Sequence, residues 1–447
     1  MSRFHQRRLL AAAILGVLVV PPAILGCEPT RAPSAPFDQQ PRVAGNSRAA
    51  DVASTGVYEP GTIVWWPASG ADEGEVEATY HLQRVGIVGS ALVCSTGPGQ
   101  DPVTVAGLLA LDGRAAWAEP NYVAETAESR GHSFAFDDGF PDRSAYEDQG
   151  AAARVGLASA HEASRGRGIV VAVLDTGVDT DHPLLASHLL PGYDFVSGDA
   201  DPTEAPDGID SDGDGMTDEA LGHGSHVTGI VALVAPEARI LPLRVLDDDG
   251  RGDALGIARA IDYARLHGAR VINVSLGMLV EDRLVGDAIE LARAEGIVVT
   301  ASAGNWGAEN PEEFPAEDEA TVAVAASGAD NRPTSFTSFG SYVALTAPGE
   351  AIRSTFWNGH TAVWSGTSMS APWVAGGAAL LLAVHPAWTP SQVLDRMART
   401  AIPIDPSIPE VTRNFGAGIL DLGAALALGP GSAESPDFGI RQSTPRP

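Results

Sequence analysis

The sequence predicts an α/β protein built on a parallel β-sheet with helices on both faces, preceded by a small α+β domain. Two observations predict the sheet: short, largely apolar runs recur along the middle of the chain, and stretches of helical periodicity separate them. The first run, 168–174, has the unbroken apolar character of a strand buried on both faces. Similar runs follow at 240–246, 271–276, 297–301 and 322–325. Between them, 254–267 places Ile257, Ile261 and Ala264 on one helical face, and 282–294 does the same with Val285, Ile289 and Ala292. Strand–helix–strand alternation implies parallel strands joined by crossovers. In such sheets functional groups gather beyond the carboxyl ends of the strands. Asp175 ends the first run, Ser275, Leu276 and Gly277 end the third, and Ala303, Gly304 and Asn305 follow the fourth.

Composition removes several classes of function. At 447 residues and 44% apolar the chain has room for about three folded units with a large core. Its 28 basic residues against 57 acidic ones give a net charge of −29, and every one of the basic residues is arginine. Without lysine there is no phosphate loop ending in Gly-Lys-Ser/Thr and no Schiff-base lysine. A cationic footprint for nucleic acid is missing as well. Two cysteines, Cys27 and Cys94, cannot build a disulfide framework or complete a thiolate metal cluster.

The chain divides by texture. Residues 2–8 carry three arginines and no acid, and 9–25 are apolar apart from Gly16, Pro21 and Pro22. This reads as a signal peptide over 1–26. Its exit, Ile24-Leu25-Gly26-Cys27, resembles the bacterial lipobox, which implies a lipid on Cys27 and a membrane anchor at the cell envelope or surface. An ordinary secretory signal or an uncleaved anchor helix are the alternatives. Residues 27–56, rich in Pro, Ala, Ser and Arg, read as a disordered tether. Residues 57–126 form the small domain, with apolar clusters at 62–66, 85–93 and 103–111. The polar stretch 127–145 is a linker, 146–429 the larger domain and 430–447 a disordered tail. Cys94 is expected as a buried free thiol, or as the partner of Cys27 should the lipid reading fail.

Three motifs carry the chemistry. Asp175 closes Val-Ala-Val-Leu-Asp-Thr-Gly, where a carboxylate after a buried strand needs compensating hydrogen bonds. His223 opens His-Gly-Ser-His-Val-Thr-Gly, and Gly224 and Gly229 would let another backbone approach closely. His226 stands three residues on, but no further ligand completes a metal set, and it reads as a structural neighbour. Ser368 lies in Ser-Gly-Thr-Ser-Met-Ser-Ala-Pro before the apolar stretch 372–384, where a helix dipole and unpaired N–H groups can stabilise an oxyanion. The flanks are not Gly-x-Ser-x-Gly, which disfavours an α/β-hydrolase elbow.

The order Asp, His, Ser with these flanks resembles the subtilisin-like serine proteases, and the likeness spans about 146–428. It includes Leu243-Arg-Val-Leu246, Val271-Ile-Asn-Val-Ser-Leu-Gly277, Ala303-Gly304-Asn305 and Asn414-Phe-Gly-Ala-Gly418. The resemblance implies a serine endopeptidase acting on polypeptides: Ser368 as nucleophile, His223 as base, Asp175 orienting the imidazole, and Asn305 as oxyanion donor. It implies that Ser275-Leu276-Gly277 pairs with the substrate backbone, and that the segment before Phe314-Pro315-Ala316 helps shape the primary side-chain pocket. There Glu313, or alternatively Glu312, is expected to favour a basic substrate side chain. The ending Ala116-Trp-Ala-Glu-Pro-Asn-Tyr122 is similar to inhibitory subtilase propeptides, so 57–126 is expected to act as the chain's own inhibitor until cut between 125 and 146. A permanent accessory domain is the alternative. A monomer is expected. The rival from another class is an inactive scaffold of the same fold. Arg251-Gly252-Asp253 is too short a motif to argue for adhesion.

Upstream of His223, Asp210, Asp212 and Asp214 alternate before Gly215 as in the start of a calcium loop. Position twelve is Leu221, so the loop is no complete EF-hand, and Asp218 or Glu219 is expected to close the shell around a structural calcium.

Overall fold

The computed structural model describes residues 57–128, 133–404 and 414–427. The expected signal peptide with Cys27, tether and tail lie outside the described residues. All described residues fall in one unit.

In β1 (Tyr58–Pro67), Ile63 and Trp65 face one way and Val64 and Trp66 the other, and all four are buried. That double burial explains the unbroken apolar run, because each face meets a different partner. β1 lies between β3 (Ala91–Ser95) and β4 (Ala115–Glu125), with β2 (Gln83–Val88) outside β3, all antiparallel. Ile63, Trp65, Leu92 and Cys94 pack under the helices Glu73–Tyr80 and Pro102–Ala110, through Val76, Val105 and Leu109. The apolar cluster at 103–111 is thus a helix, started by Asp101 with Pro102 in its first turn. Cys94 is a buried free thiol, and burial raises its pKa. Val64, Trp66, Val93 and Ala124 pack instead against Leu255, Ile257 and Ile261 of the larger part of the chain.

After β5 (Phe136–Gly139) the chain builds a seven-stranded sheet. Its strands are β6 (Val170–Asp175), β7 (Tyr193–Asp194), β8 (Arg239–Arg244), β10 (Val271–Val274), β11 (Val298–Ser302), β12 (Val322–Ser327) and β13 (Val343–Pro348). The order is β13-β12-β11-β10-β6-β8-β7, with every neighbouring pair parallel. This is the expected α/β architecture. β7 and β13 were not among the expected strands: one is two residues long, and the other mixes Thr346 and alanines into its apolar pattern. β9 (Arg251–Asp253) joins the other sheet, pairing antiparallel with Val123–Glu125 of β4.

The helices Ala254–Leu266 and Arg283–Ala294 cover one face, each capped by an aspartate, Asp253 and Asp282. His223–Val234 and Ala371–Val384 cover the other. The stretch 367–384 is long and apolar enough to cross a membrane, but 89% of it is buried, as befits a core helix. Against His223–Val234 packs the antiparallel pair β14 (Ile352–Phe356) and β15 (His360–Trp364), with β5 on its edge. Gly229 makes that contact possible, since a Cβ there would collide with Ser354 and Thr355 Oγ and come 3.0 Å from the Thr355 amide. Gly229→Ala is expected to lower stability by about 1–3 kcal/mol, measured by thermal unfolding against the parent chain.

Candidate active site

Three strand ends and two helix starts converge on one point. Asp175 is the last residue of β6 and His223 the first of its helix. Ser275 to Gly277 follow β10, and Asn305 lies just beyond β11. Ser368 sits in the turn Thr367–Met369 that leads into Ala371–Val384. Asp175, His223 and Ser368 are at most 1% exposed.

His223 Nδ1 lies 2.6 Å from Asp175 Oδ1, which also accepts the Thr176 amide at 2.8 Å. The imidazole meets Trp364 edge-on, with centroids 5.2 Å apart. Behind it, buried Glu204 accepts from Thr176 Oγ1, the Gly224 and Ser225 amides and Ser225 Oγ, which pins the first turn of the histidine helix. Its pKa is raised, by burial first. Gly224 abuts the Gly177 carbonyl, so the close backbone approach expected there occurs. His226 points away from the site. Its Nε2 lies 3.1 and 3.2 Å from the carbonyls of Ile352 and Ala362, and burial pulls its pKa down to about 3, leaving it neutral.

On the other side, Asn305 Oδ1 accepts from the amide and hydroxyl of Thr367, both at 2.9 Å, which aims its Nδ2 at the space before Ser368. Ser275 Oγ donates to the Ser368 carbonyl at 3.1 Å and accepts from Asn273 Nδ2.

That space holds the chain's own Glu128. Its Oε2 accepts the Ser368 hydroxyl at 2.6 Å and lies 3.2 Å from His223 Nε2, while its Oε1 accepts from Asn305 Nδ2 at 2.9 Å. One carboxylate oxygen therefore spans the Ser368 hydroxyl and the His223 ring, and the other sits on the amide of Asn305. Burial pulls the His223 pKa down, but the Asp175 and Glu128 carboxylates together raise it to about 10. Burial pushes Glu128 up, and its bonds to His223, Ser368 and Asn305 outweigh that and hold it below the usual range.

Glu128 arrives along β4. Glu125 and Gly277 exchange both backbone hydrogen bonds, at 3.0 and 2.9 Å, so the strand expected to receive a substrate backbone here receives residues 125–128. The buried run thus extends into Ala127 and Glu128, beyond the small domain drawn from sequence. Upstream, Glu119 accepts the amides of Arg283 and Leu284, and Asn121 accepts that of Leu255. The strand so caps the positive ends of both covering helices. Arg283 lies 5.7 and 5.3 Å from the rings of Trp66 and Trp117.

The sequence model of the subtilase family matches residues 166–418, more than half of the chain. The chain is a subtilase. It thereby belongs to a family of serine endopeptidases. It is 35% identical over 272 residues to subtilisin NAT of Bacillus subtilis subsp. natto, covering 58% of this chain and 66% of that protein. Subtilisin of Bacillus pumilus shows the same identity over 91% of its length, and thermitase of Thermoactinomyces vulgaris is 38% identical over 232 residues, 50% of this chain and 77% of its own. The chain spans about two thirds of the length of the first of these relatives. Among solved structures, fervidolysin of Fervidobacterium pennivorans shares the fold at TM-score 0.68 and 24% identity, covering 83% of this chain and 61% of its own. A protease of Pseudoalteromonas arctica PAMC 21717 matches at TM-score 0.58 and 30% identity, over 64% of this chain and 98% of its own.

Subtilases commonly bind structural calcium, and the acidic loop of this subtilase suits such an ion. Ligand atoms of Asp210, Asp212 and Asp214 lie within 4.8 Å of one another. The Asp218 carboxylate accepts the amides of Asp207 and Gly208. Both carboxylate oxygens of Glu219 are buried with no hydrogen-bond partner. Its pKa is raised to about 7, by burial first and then by Asp249, Asp212 and Asp214. A divalent cation held among Asp210, Asp212 and Asp214 would relieve that repulsion with hard oxygen ligands.

Glu128 and His223 set a pH window for the occupied cleft. The carboxylate, depressed when bound, contributes above its free value near 4.5 and loses that contribution as pH falls through the depressed one. The imidazole, raised when bound, contributes fully below its value in the vacated site and loses it as pH rises through about 10. Access to Ser368 in the full chain is therefore expected to rise toward alkaline pH, read as the rate of fluorophosphonate labelling. In Glu128→Gln, labelling near pH 7 is expected to be about tenfold faster or more.

Proposed function

We propose that this subtilase hydrolyses peptide bonds in polypeptides through Asp175, His223 and Ser368, and that it is made as a self-inhibited zymogen. The observation that carries the reading is the single oxygen of Glu128 shared by the Ser368 hydroxyl and His223 Nε2, with Asp175 on the far nitrogen of the same ring. With Glu128 gone, Ser368 Oγ faces a base whose tautomer is fixed by Asp175. Ser368 attacks the scissile carbonyl, His223 takes its proton and later delivers it to the leaving amine, and water repeats the sequence on the acyl-enzyme. The oxyanion would rest on Asn305 Nδ2, where a carboxylate oxygen now lies, and on the Ser368 amide. With Glu128 bound, His223 carries a proton and cannot act as base, so the same contact that fills the cleft also disarms it.

Inhibition by residues 57–128 is supported by the continuous path of β4, from the two helix caps to Glu128. Calcium binding as a structural ion is supported by the close approach of Asp210, Asp212 and Asp214, and by the orphaned carboxylate of Glu219 that Asp212 and Asp214 repel. Subtilisin relatives are secreted enzymes, and export with a lipid on Cys27 is supported by residues 2–27 alone. Intact mass of the mature N-terminus tests it, since a diacylglyceryl cysteine and an unmodified one differ by hundreds of daltons.

Fluorophosphonate labelling is expected in the parent chain and absent in Ser368→Ala. A chain cut after Glu128 that stays unlabelled at every pH overturns the enzymatic reading in favour of a scaffold. Asn305→Ala is expected to lower kcat by roughly 10²–10³ with the fold intact. Removing calcium with a chelator is expected to lower Tm by about 5 °C or more, and Glu219→Gln to shrink that difference. An unchanged melting temperature would remove the ion from the account.

A further inference from the structure

We propose that Glu204 is a positioning residue for catalysis, its buried carboxylate tying the strand end that carries Asp175 to the helix start that carries His223. The inference rests on the endopeptidase reading and deepens it. Glu204 acts through the contact between Asp175 and His223, not on the reacting atoms.

Glu204 belongs to neither element. It lies in the connection between β7 and the histidine helix and is 2% exposed. Two backbone bonds draw that connection alongside the turn after Asp175: the Val178 amide reaches the Pro202 carbonyl at 3.0 Å, and the Glu204 amide the Val178 carbonyl at 3.2 Å. Gly177 leaves room for it, since a Cβ there would come 2.5 Å from the Pro202 oxygen and 3.3 Å from Glu204 Cγ. The Thr176 amide holds Asp175 Oδ1 at 2.8 Å, and the Thr176 hydroxyl donates to Glu204 Oε1 at 2.6 Å. The Gly224 amide, next along from His223, donates to the same Oε1 at 3.0 Å and to Thr176 Oγ1 at 2.9 Å. With His223 Nδ1 2.6 Å from Asp175 Oδ1, the circuit closes. Ser225 adds a second link: its hydroxyl donates to Glu204 Oε2 at 2.6 Å and accepts the Asp179 amide at 2.7 Å.

Each of these side-chain bonds is donated to Glu204, and that direction makes the residue hard to replace. A carboxylate accepts at both oxygens, whereas a carboxamide offers one oxygen and two donors. In E204Q an N–H group would face either Ser225 Oγ or the donors on Oε1, and one tie would break. The negative charge also suits the first turn of a helix, where N–H groups converge. Breaking the tie frees the helix start from the strand end. Proton transfer from Ser368 needs the imidazole aimed by Asp175, and small displacements of reacting groups are costly. Gly277, which pairs with Glu125 in the cleft, lies on neither of the tied elements. The loss therefore falls on kcat rather than on KM.

The test takes two readouts. In the full chain carrying Ser368→Ala, where no turnover occurs, proton NMR follows the hydrogen on His223 Nδ1, which a short bond to a carboxylate sends far downfield. E204Q is expected to move that resonance upfield or broaden it, while the chain still unfolds in one cooperative transition. With Ser368 in place, and the chain cut after Glu128 and freed of residues 57–128, peptide hydrolysis is measured. E204Q is expected to lower kcat about 10–100-fold, with KM within about twofold of the parent. E204D, which keeps the charge on a shorter arm, is expected to recover part of both effects. A resonance and a kcat left at parent values overturn the inference. A lower kcat with an unmoved resonance overturns it too, since that pattern marks a merely structural role. Should E204Q fail to fold, Ser225→Ala removes the Oε2 bond alone and is read in the same way. These results, in an enzyme that fluorophosphonate labels, overturn this inference and leave the endopeptidase reading standing. A parent chain cut after Glu128 that is never labelled overturns both.

Discussion

The contact on which the site turns is the 2.6 Å approach of His223 Nδ1 to Asp175 Oδ1 in a place without exposure to solvent. Burying an imidazole disfavours its charged form, and a buried carboxylate is expensive unless bonded. Each resolves the other's cost, provided both are held rigidly. The fold supplies that rigidity from two directions. Asp175 ends a strand flanked by β8 and β10, and the histidine helix starts on the Glu204 carboxylate and packs along β14. Ser368 is brought to the same place by an independent element, so the arrangement depends on the sheet's register rather than on any local turn.

Much of this was legible in the chain. The five largely apolar runs became parallel strands because a strand buried on both faces must be mostly apolar, and its polar residues, such as Asn273 and Thr300, must be hydrogen-bonded. Asp175, His223 and Ser368 stood out because each lies in a short motif whose glycines and small residues answer local demands. Glu128 did not stand out. It lies in a polar stretch with many acids, and its meaning comes from the register between Glu125 and Gly277, which no local pattern encodes. Glu204 was missed for the same reason, being one carboxylate among several before the histidine helix. The signal that could have found Glu128 was the expectation that the small domain's end runs through the cleft. Followed two residues further, that path ends on Ser368.

The two sheets also show why composition separated them while packing does not. The face of β1 carrying Val64 and Trp66 is continuous with the core around Ile257 and Ile261, and the opposite face closes a core of its own. Docking therefore combines apolar burial with two helix caps and a three-residue ladder to β9. None of these contacts reaches the reacting atoms. They set the height and angle at which residues 126–128, just beyond the strand, enter the cleft.

That arrangement has a kinetic meaning. While the backbone is continuous, Glu128 meets Ser368 at an effective concentration set by geometry, which no protein in solution can rival. One scission on its carboxyl side leaves the N-terminal unit attached by non-covalent contacts alone. Departure then becomes a bimolecular equilibrium, governed by dilution and by whatever destroys the released piece. Latency in this molecule would be a property of one covalent bond, and its end a matter of mass action.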